Sequence, residues 1–172
     1  MENRSVLRLA GVATSLGAAI DILAPFAIYP RLVQPWPHLV YVLIDLLLLC
    51  GMLGVRSVSG RSTGPLALTG FVLALLGVLL VRTSSANIFG EASYVIASSV
   101  WSIGMVVWSV DLLRTGKAFR IAAGLWIAAF VIGLAGLVLK DHGPVAHMAK
   151  MSFILGFVAA AVELLKPRGD SA

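Results

Sequence analysis

The stretch VLRLAGVATSLGAAIDILAPFAI, residues 6–28, decides the fold class. It is long enough to cross the hydrocarbon core of a bilayer, which takes ~20 predominantly apolar residues in an α-helix. Its only acid is Asp21, set well inside the run. A second stretch, LVYVLIDLLLLCGMLGV (residues 39–55), repeats the pattern with Asp45 as its only charge. A charge near the centre of a membrane helix costs roughly 2.5–3.5 kcal/mol on insertion scales, so such residues serve packing, proton or ligand work. Counting inward at ~1.5 Å per residue puts both acids about 10 Å below the same membrane boundary.

Four more apolar segments follow, at residues 65–81, 92–113, 119–139 and 145–165, joined by brief linkers that leave no room for a soluble domain. The expected fold is therefore all-α, a single integral membrane domain of six transmembrane helices, with the second and third spans short. Composition agrees: the 172 residues are 59% hydrophobic and 12% charged, with mean hydropathy +0.98. That is too apolar for a soluble globule of this length. The net charge of +5 would suggest nucleic acid in a soluble domain, but in a membrane chain it reflects cytoplasmic loops, and no nucleic-acid partner is expected. The single Cys50 cannot form an internal disulfide and reads as a small buried hydrophobe.

Orientation follows from the basic residues. With the N-terminus inside, Arg4, Arg8, Arg56, Arg61, Arg114, Lys117, Arg120, Lys166 and Arg168 fall on the cytoplasmic side, and only Arg31, Arg82, Lys140 and Lys150 on the other. This bias places both termini in the cytoplasm. Asp21 and the continuing apolar run argue against reading the first segment as a cleaved signal peptide. A short six-helix chain of this kind resembles many small bacterial membrane proteins, which implies a location in the bacterial inner membrane and nothing about activity.

An internal echo links the ends of the fourth and sixth segments. GMVVWSVDLLR from Gly104 to Arg114 aligns with GFVAAAVELLK from Gly156 to Lys166, and Gly51 and Arg61 keep the same spacing. Three tandem helical hairpins would produce it, as in transporters built by duplication. Inner helix ends that share an apolar, acid, base order would produce part of it as well.

In the first segment Ala10, Thr14, Gly17, Ala18 and Asp21 recur at helical spacing, with Gly11, Ser15 and Ala19 beside them. Small residues let membrane helices approach closely, so Asp21 is expected to face protein. Pro25 lacks the N–H that would bond the carbonyl of Asp21, which puts a bend and a freed acceptor beside the carboxylate. In the second segment His38, Tyr41 and Asp45 share one face. Two acids so close resist joint ionisation, so one should hold a proton or both should face a cation. A structural alternative pairs Asp45 with Arg82 or Arg31. The stripe Glu91, Tyr94, Ser98, Ser102 and Ser109 on the fourth segment could line an aqueous route or simply pack.

The three histidines, His38, His142 and His147, gather near Glu91 and Asp141 at the outer side. Asp141, His142 and His147 are weak candidates for metal ligands, because Gly143 and Pro144 break the i, i+4 spacing that would set both imidazoles on one helix face. No cofactor motif, phosphate loop or nucleophile elbow is present in the sequence. Three readings follow. The first is a small multi-pass protein that binds or transports a small solute or ion, proton-linked or not, through Asp21 and Asp45. Here Tyr41 and His38 lead to the outer water, and Glu91, Ser98 and Ser102 form the far wall. The second is an accessory or scaffold subunit. The third is a membrane enzyme using the outer histidines. A bundle this small has little room for a central pathway, so a homo-oligomer or a partner membrane subunit is expected beside the lipid.

Overall fold

The computed structural model describes residues 4–33, 36–59, 64–84, 90–115, 118–140 and 143–167, without the side chain of Glu91. Six helices account for nearly all of them: α1 (Arg4–Leu23), α2 (Trp36–Ser59), α3 (Pro65–Thr83), α4 (Ser93–Thr115), α5 (Arg120–Leu139) and α6 (Pro144–Leu165). All six are long and apolar enough to cross a membrane. The chain is an all-α, multi-pass membrane protein, with no strand among the described residues.

Local chemistry sets the helix ends. Pro65 and Pro144 open α3 and α6, where a missing N–H leaves no helical bond unmade. Lys140 closes α5 in the left-handed region, its N–H directed to the carbonyls of Gly136 and Leu137. The second span is not short: α2 has 24 residues. Hydropathy underestimates it because Trp36 to His38 and Arg56 to Ser59 continue the helix with boundary side chains, and backbone hydrogen bonding does not require apolar ones. At Pro25 the regular helix gives way to a π turn, Ala24–Ile28, closed by the Tyr29 N–H on the Ala24 carbonyl. A short 3-10 turn, Tyr29–Arg31, follows. The backbone distortion expected beside Asp21 is present, and wide turns of this kind recur at functional sites.

Consecutive helices pair into hairpins, α1 with α2, α3 with α4, and α5 with α6; α4 also meets α5, and α6 closes back on α1. The slightest contact between sequence neighbours is α2 with α3. The hairpins share one packing register. A Cβ placed on Gly51 would strike Thr14, one on Gly104 would strike Ala74, and one on Gly156 would strike Trp126. The same register runs through the odd helices, where Ala10, Gly70 and Ala122, then Gly17, Gly77 and Ala129, are buried. It also runs through the even ones, where Met52, Met105 and Phe157, then Val55, Trp108 and Ala160, are buried. The three hairpins thus share the register that the sequence echo suggested.

Lipid tails are as apolar as leucine, so close packing rather than the hydrophobic effect must hold such helices together. The first helix shows this directly: Ala10, Gly11, Thr14, Gly17, Ala18 and Asp21 are all buried, while Leu9, Leu16 and Leu23 are exposed. Ala19, read as part of a neighbouring small row, is exposed instead. Cys50 is likewise exposed on α2 rather than buried. Gly17→Leu and Ala18→Leu are expected to lower the melting temperature of the detergent-solubilised protein, and Ile20→Leu to leave it nearly unchanged. A Cβ on Gly17 would already sit 2.8 Å from Leu47 Cβ, and Ala18 is fully buried. Equal tolerance at the three positions would contradict the packing of α1 on α2.

Candidate functional site

The small-residue face of α1 carries Asp21 into the protein, and α2 places Asp45 one turn beyond Tyr41. Both acids are only 6% exposed, and both open onto one cavity of about 770 Å³. Its lining comes from the final turns of α1, α3 and α5 and the early turns of α2, α4 and α6. The cavity therefore occupies the half of the bundle away from the helix ends nearest the two termini. The carboxylates interact electrostatically with each other.

Each acid has its own cation. Lys150 Nζ lies 3.0 Å from Asp21 Oδ1, and Arg82 Nε pairs with Asp45 Oδ2. The Arg82 guanidinium also lies over the Tyr41 ring, 5.4 Å from its centroid, and Tyr41 contacts Tyr29 ring to ring at 4.8 Å. The first pair ties α1 to α6. The second ties α2 to α3, the neighbours that otherwise touch least. Neither pair is sealed: the Lys150 and Arg82 side chains remain 42% and 29% exposed, and all four charged residues line the cavity.

The opposite wall is α4, with Tyr94, Ser98 and Ser102, and the remainder is largely apolar, including Leu48, Phe130, Leu134 and Phe153. Beyond the cavity an aromatic chain fills the other half of the bundle. Phe71 meets Trp108 edge-on at 5.2 Å, Trp108 stacks on Trp126 at 6.1 Å, and Phe157 meets Trp126 at 5.3 Å. Such pairs contribute about 0.5–1.5 kcal/mol each beyond area burial. Trp108, Trp126 and Phe157 are essentially unexposed, so the cavity is blind at this end.

Of the residues singled out from sequence, Asp21, His38, Tyr41, Asp45, Ser98 and Ser102 line this one cavity. Tyr94 joins them, whereas Ser109 is fully buried and outside the lining. Glu91 falls in a short 3-10 turn, Gly90–Ala92, and its side chain is outside the described residues. So are Asp141 and His142 in full. His147 is exposed and not part of the cavity. Among the described residues no group of three His, Cys, Asp or Glu side chains could hold a metal ion. Asp45 meets Arg82, the structural alternative read from sequence, and Asp21 meets Lys150.

Lys150 is the residue the sequence reading left out of the site. Two signals pointed to it. It stands about as far inside the last helix as Asp45 stands inside the second, roughly 10 Å at ~1.5 Å per residue. In the hairpin register fixed by Gly51, Gly104 and Gly156, moreover, Lys150 matches Asp45, and Ser98 is the third equivalent. Comparison with protein-family models, curated proteins and solved structures gave no match.

Proposed function

We propose that the protein binds a small solute in this cavity and carries it across the membrane, with Asp21 and Asp45 as the coordinating groups. What supports the reading is that two acids from different helices, each paired with a cation on a further helix, line one and the same cavity. A volume of about 770 Å³ falls within the roughly 300–1,000 Å³ common for small-molecule sites. His38 and Tyr41 lead from the acids toward the open end, and Ser98 and Ser102 supply hydroxyls on the facing wall. Lys150 and Arg82 hold the acids in the empty state and are displaced when the solute arrives. The sparse contact between α2 and α3 leaves the seam between the first and second hairpins as the place where the bundle opens, once the Asp45–Arg82 pair is exchanged, as alternating access requires. In this account the chain sits in a bacterial inner membrane with cytoplasmic termini, as a homo-oligomer or beside a partner subunit.

A second reading, an accessory or scaffold subunit, is favoured by the ion pairs themselves, because each fastens two helices together. Reconstitution separates the two. Proteoliposomes loaded with a radiolabelled amino acid, organic cation or sugar are expected to lose at least one of these faster than protein-free liposomes, and Ser98→Trp, which fills the cavity, should abolish the difference. No efflux of any probe above background leaves the scaffold reading.

Topology has its own test. In a Cys50→Ser background, cysteine at Val33 is expected to react with an impermeant thiol reagent applied to intact cells, and cysteine at Thr115 is not. The reverse pattern would open the cavity to the cytoplasm.

A further inference from the structure

Among the described residues, two acids and two cations line the cavity, and they are arranged by level. The shared hairpin register puts Asp45, Ser98 and Lys150 at equivalent positions of α2, α4 and α6, all three facing the same space. One level below them stand Leu48, Trp101 and Phe153, also equivalent and also lining it. One register level thus carries an anion, a hydroxyl and a cation, and the next carries apolar and aromatic side chains. Asp21 and Arg82 complete the polar level through their contacts with Lys150 and Asp45.

Resting on the carrier reading above, we propose that the ligand is a small zwitterion: a primary ammonium and an oxyanion a few bonds apart on an apolar body. Charge must be conserved where the acids themselves are only 6% exposed. A ligand bearing only a positive charge must displace Lys150 or Arg82 and leave that cation uncompensated. A purely anionic ligand does the same to Asp45 or Asp21. Unpaired charge of either sign is strongly disfavoured in such surroundings. A zwitterion exchanges partners instead, its ammonium taking a carboxylate and its oxyanion taking the released guanidinium or ammonium. The number of paired charges then does not fall, and a ligand without net charge leaves the balance of the described lining unchanged. An uncharged apolar solute would use the apolar level alone and engage none of the charged side chains that line the cavity. Free amino acids and the headgroup of phosphatidylethanolamine both carry this chemistry, and a site about 10 Å deep at ~1.5 Å per residue is within reach of water and of the lipid headgroup layer.

Calorimetric titration of the full chain in phosphatidylglycerol nanodiscs tests the proposal. The probes are phenylalanine, phenylalanine methyl ester, N-acetylphenylalanine and water-soluble dihexanoyl phosphatidylethanolamine. At neutral pH at least one zwitterion is expected to bind about tenfold or more tightly than the ester and the N-acetyl compound, because each loses one partner exchange. Binding by phenylalanine assigns a free solute, and binding by the short-chain lipid alone assigns a headgroup. The double variant Asp21→Lys with Lys150→Asp keeps the ion pair while moving the cation off the Ser98 level, and it should weaken zwitterion binding without unfolding. Binding of the ester or the N-acetyl compound as tightly as the zwitterions overturns the ligand class and leaves a carrier of another solute. Binding of no probe overturns the proposal as well, and the efflux measurement then decides whether the carrier reading falls with it.

Discussion

Gly104→Ala is expected to destabilise the protein by about 3 kcal/mol or more, and Gly104→Leu to prevent the α3–α4 hairpin from forming. Overpacking a core typically costs about 1–3 kcal/mol when neighbouring side chains can yield. Here nothing can yield, since a Cβ on Gly104 meets the backbone of Leu73 and Ala74. The relation is mutual: a Cβ on Gly70 would meet the Trp108 backbone, with the Gly104 carbonyl 3.0 Å away, and one on Gly77 would meet the backbone of Trp101. Three glycines thus bring two helix backbones into contact, which is the kind of association available where lipid removes the hydrophobic drive. Gly124→Ala is the control. Gly124 is exposed with no neighbour within 4 Å, so alanine there should raise stability by about 0.5–1 kcal/mol through helix propensity. Thermal melts in one detergent compare the two, and equal effects would mean that α3 and α4 are not in backbone contact.

Asp45→Asn should lower stability by about 2 kcal/mol by leaving Arg82 without its counter-charge between α2 and α3. Breaking a fully buried pair from one side costs about 3–5 kcal/mol. The lower figure applies because Arg82 keeps 29% of its side chain exposed and can turn toward cavity water. Asp21→Asn should do less, since Lys150 is 42% exposed on a flexible stem. Adding Arg82→Gln to Asp45→Asn should recover part of the loss, as removal of both partners leaves no orphan charge. Additive losses in the double variant would show that the two residues act independently.

The fold was legible because six apolar runs of membrane length admit few alternatives, and the burial of Asp21 was legible because the small residues Ala10, Thr14, Gly17 and Ala18 share its face. Cys50 was not. Inside a membrane both the lipid and the protein interior are apolar, so an unbroken run such as Leu46 to Cys50 carries no periodicity to separate the two faces. The ends of α2 were hidden for a related reason: Trp36 and Arg56 suit the boundary of a bilayer as well as a loop. For the site, depth counting placed Asp21 and Asp45 together because depth is a local quantity. The pairing of Asp21 with Lys150 depends on α6 closing back on α1, a contact between opposite ends of the chain that no local pattern encodes. Of the serine stripe read as lining or packing, Ser98 and Ser102 line the cavity and Ser109 packs, fully buried, because the stripe continues to the level of Trp108 and Trp126.

In the proposed carrier, water reaches the acids from one end of the bundle and stops at the aromatic layer. Thiol accessibility in purified, nanodisc-embedded protein measures this most directly. In a Cys50→Ser background, Ser98→Cys and Ser102→Cys should react readily with a small charged thiol reagent, because both positions line the cavity. Ser109→Cys should stay unreacted, because Ser109 is completely buried beyond it. Protection of Ser98→Cys and Ser102→Cys to the same degree as Ser109→Cys would contradict the account, for the acids would then sit in a dry helix interface with no path for a solute.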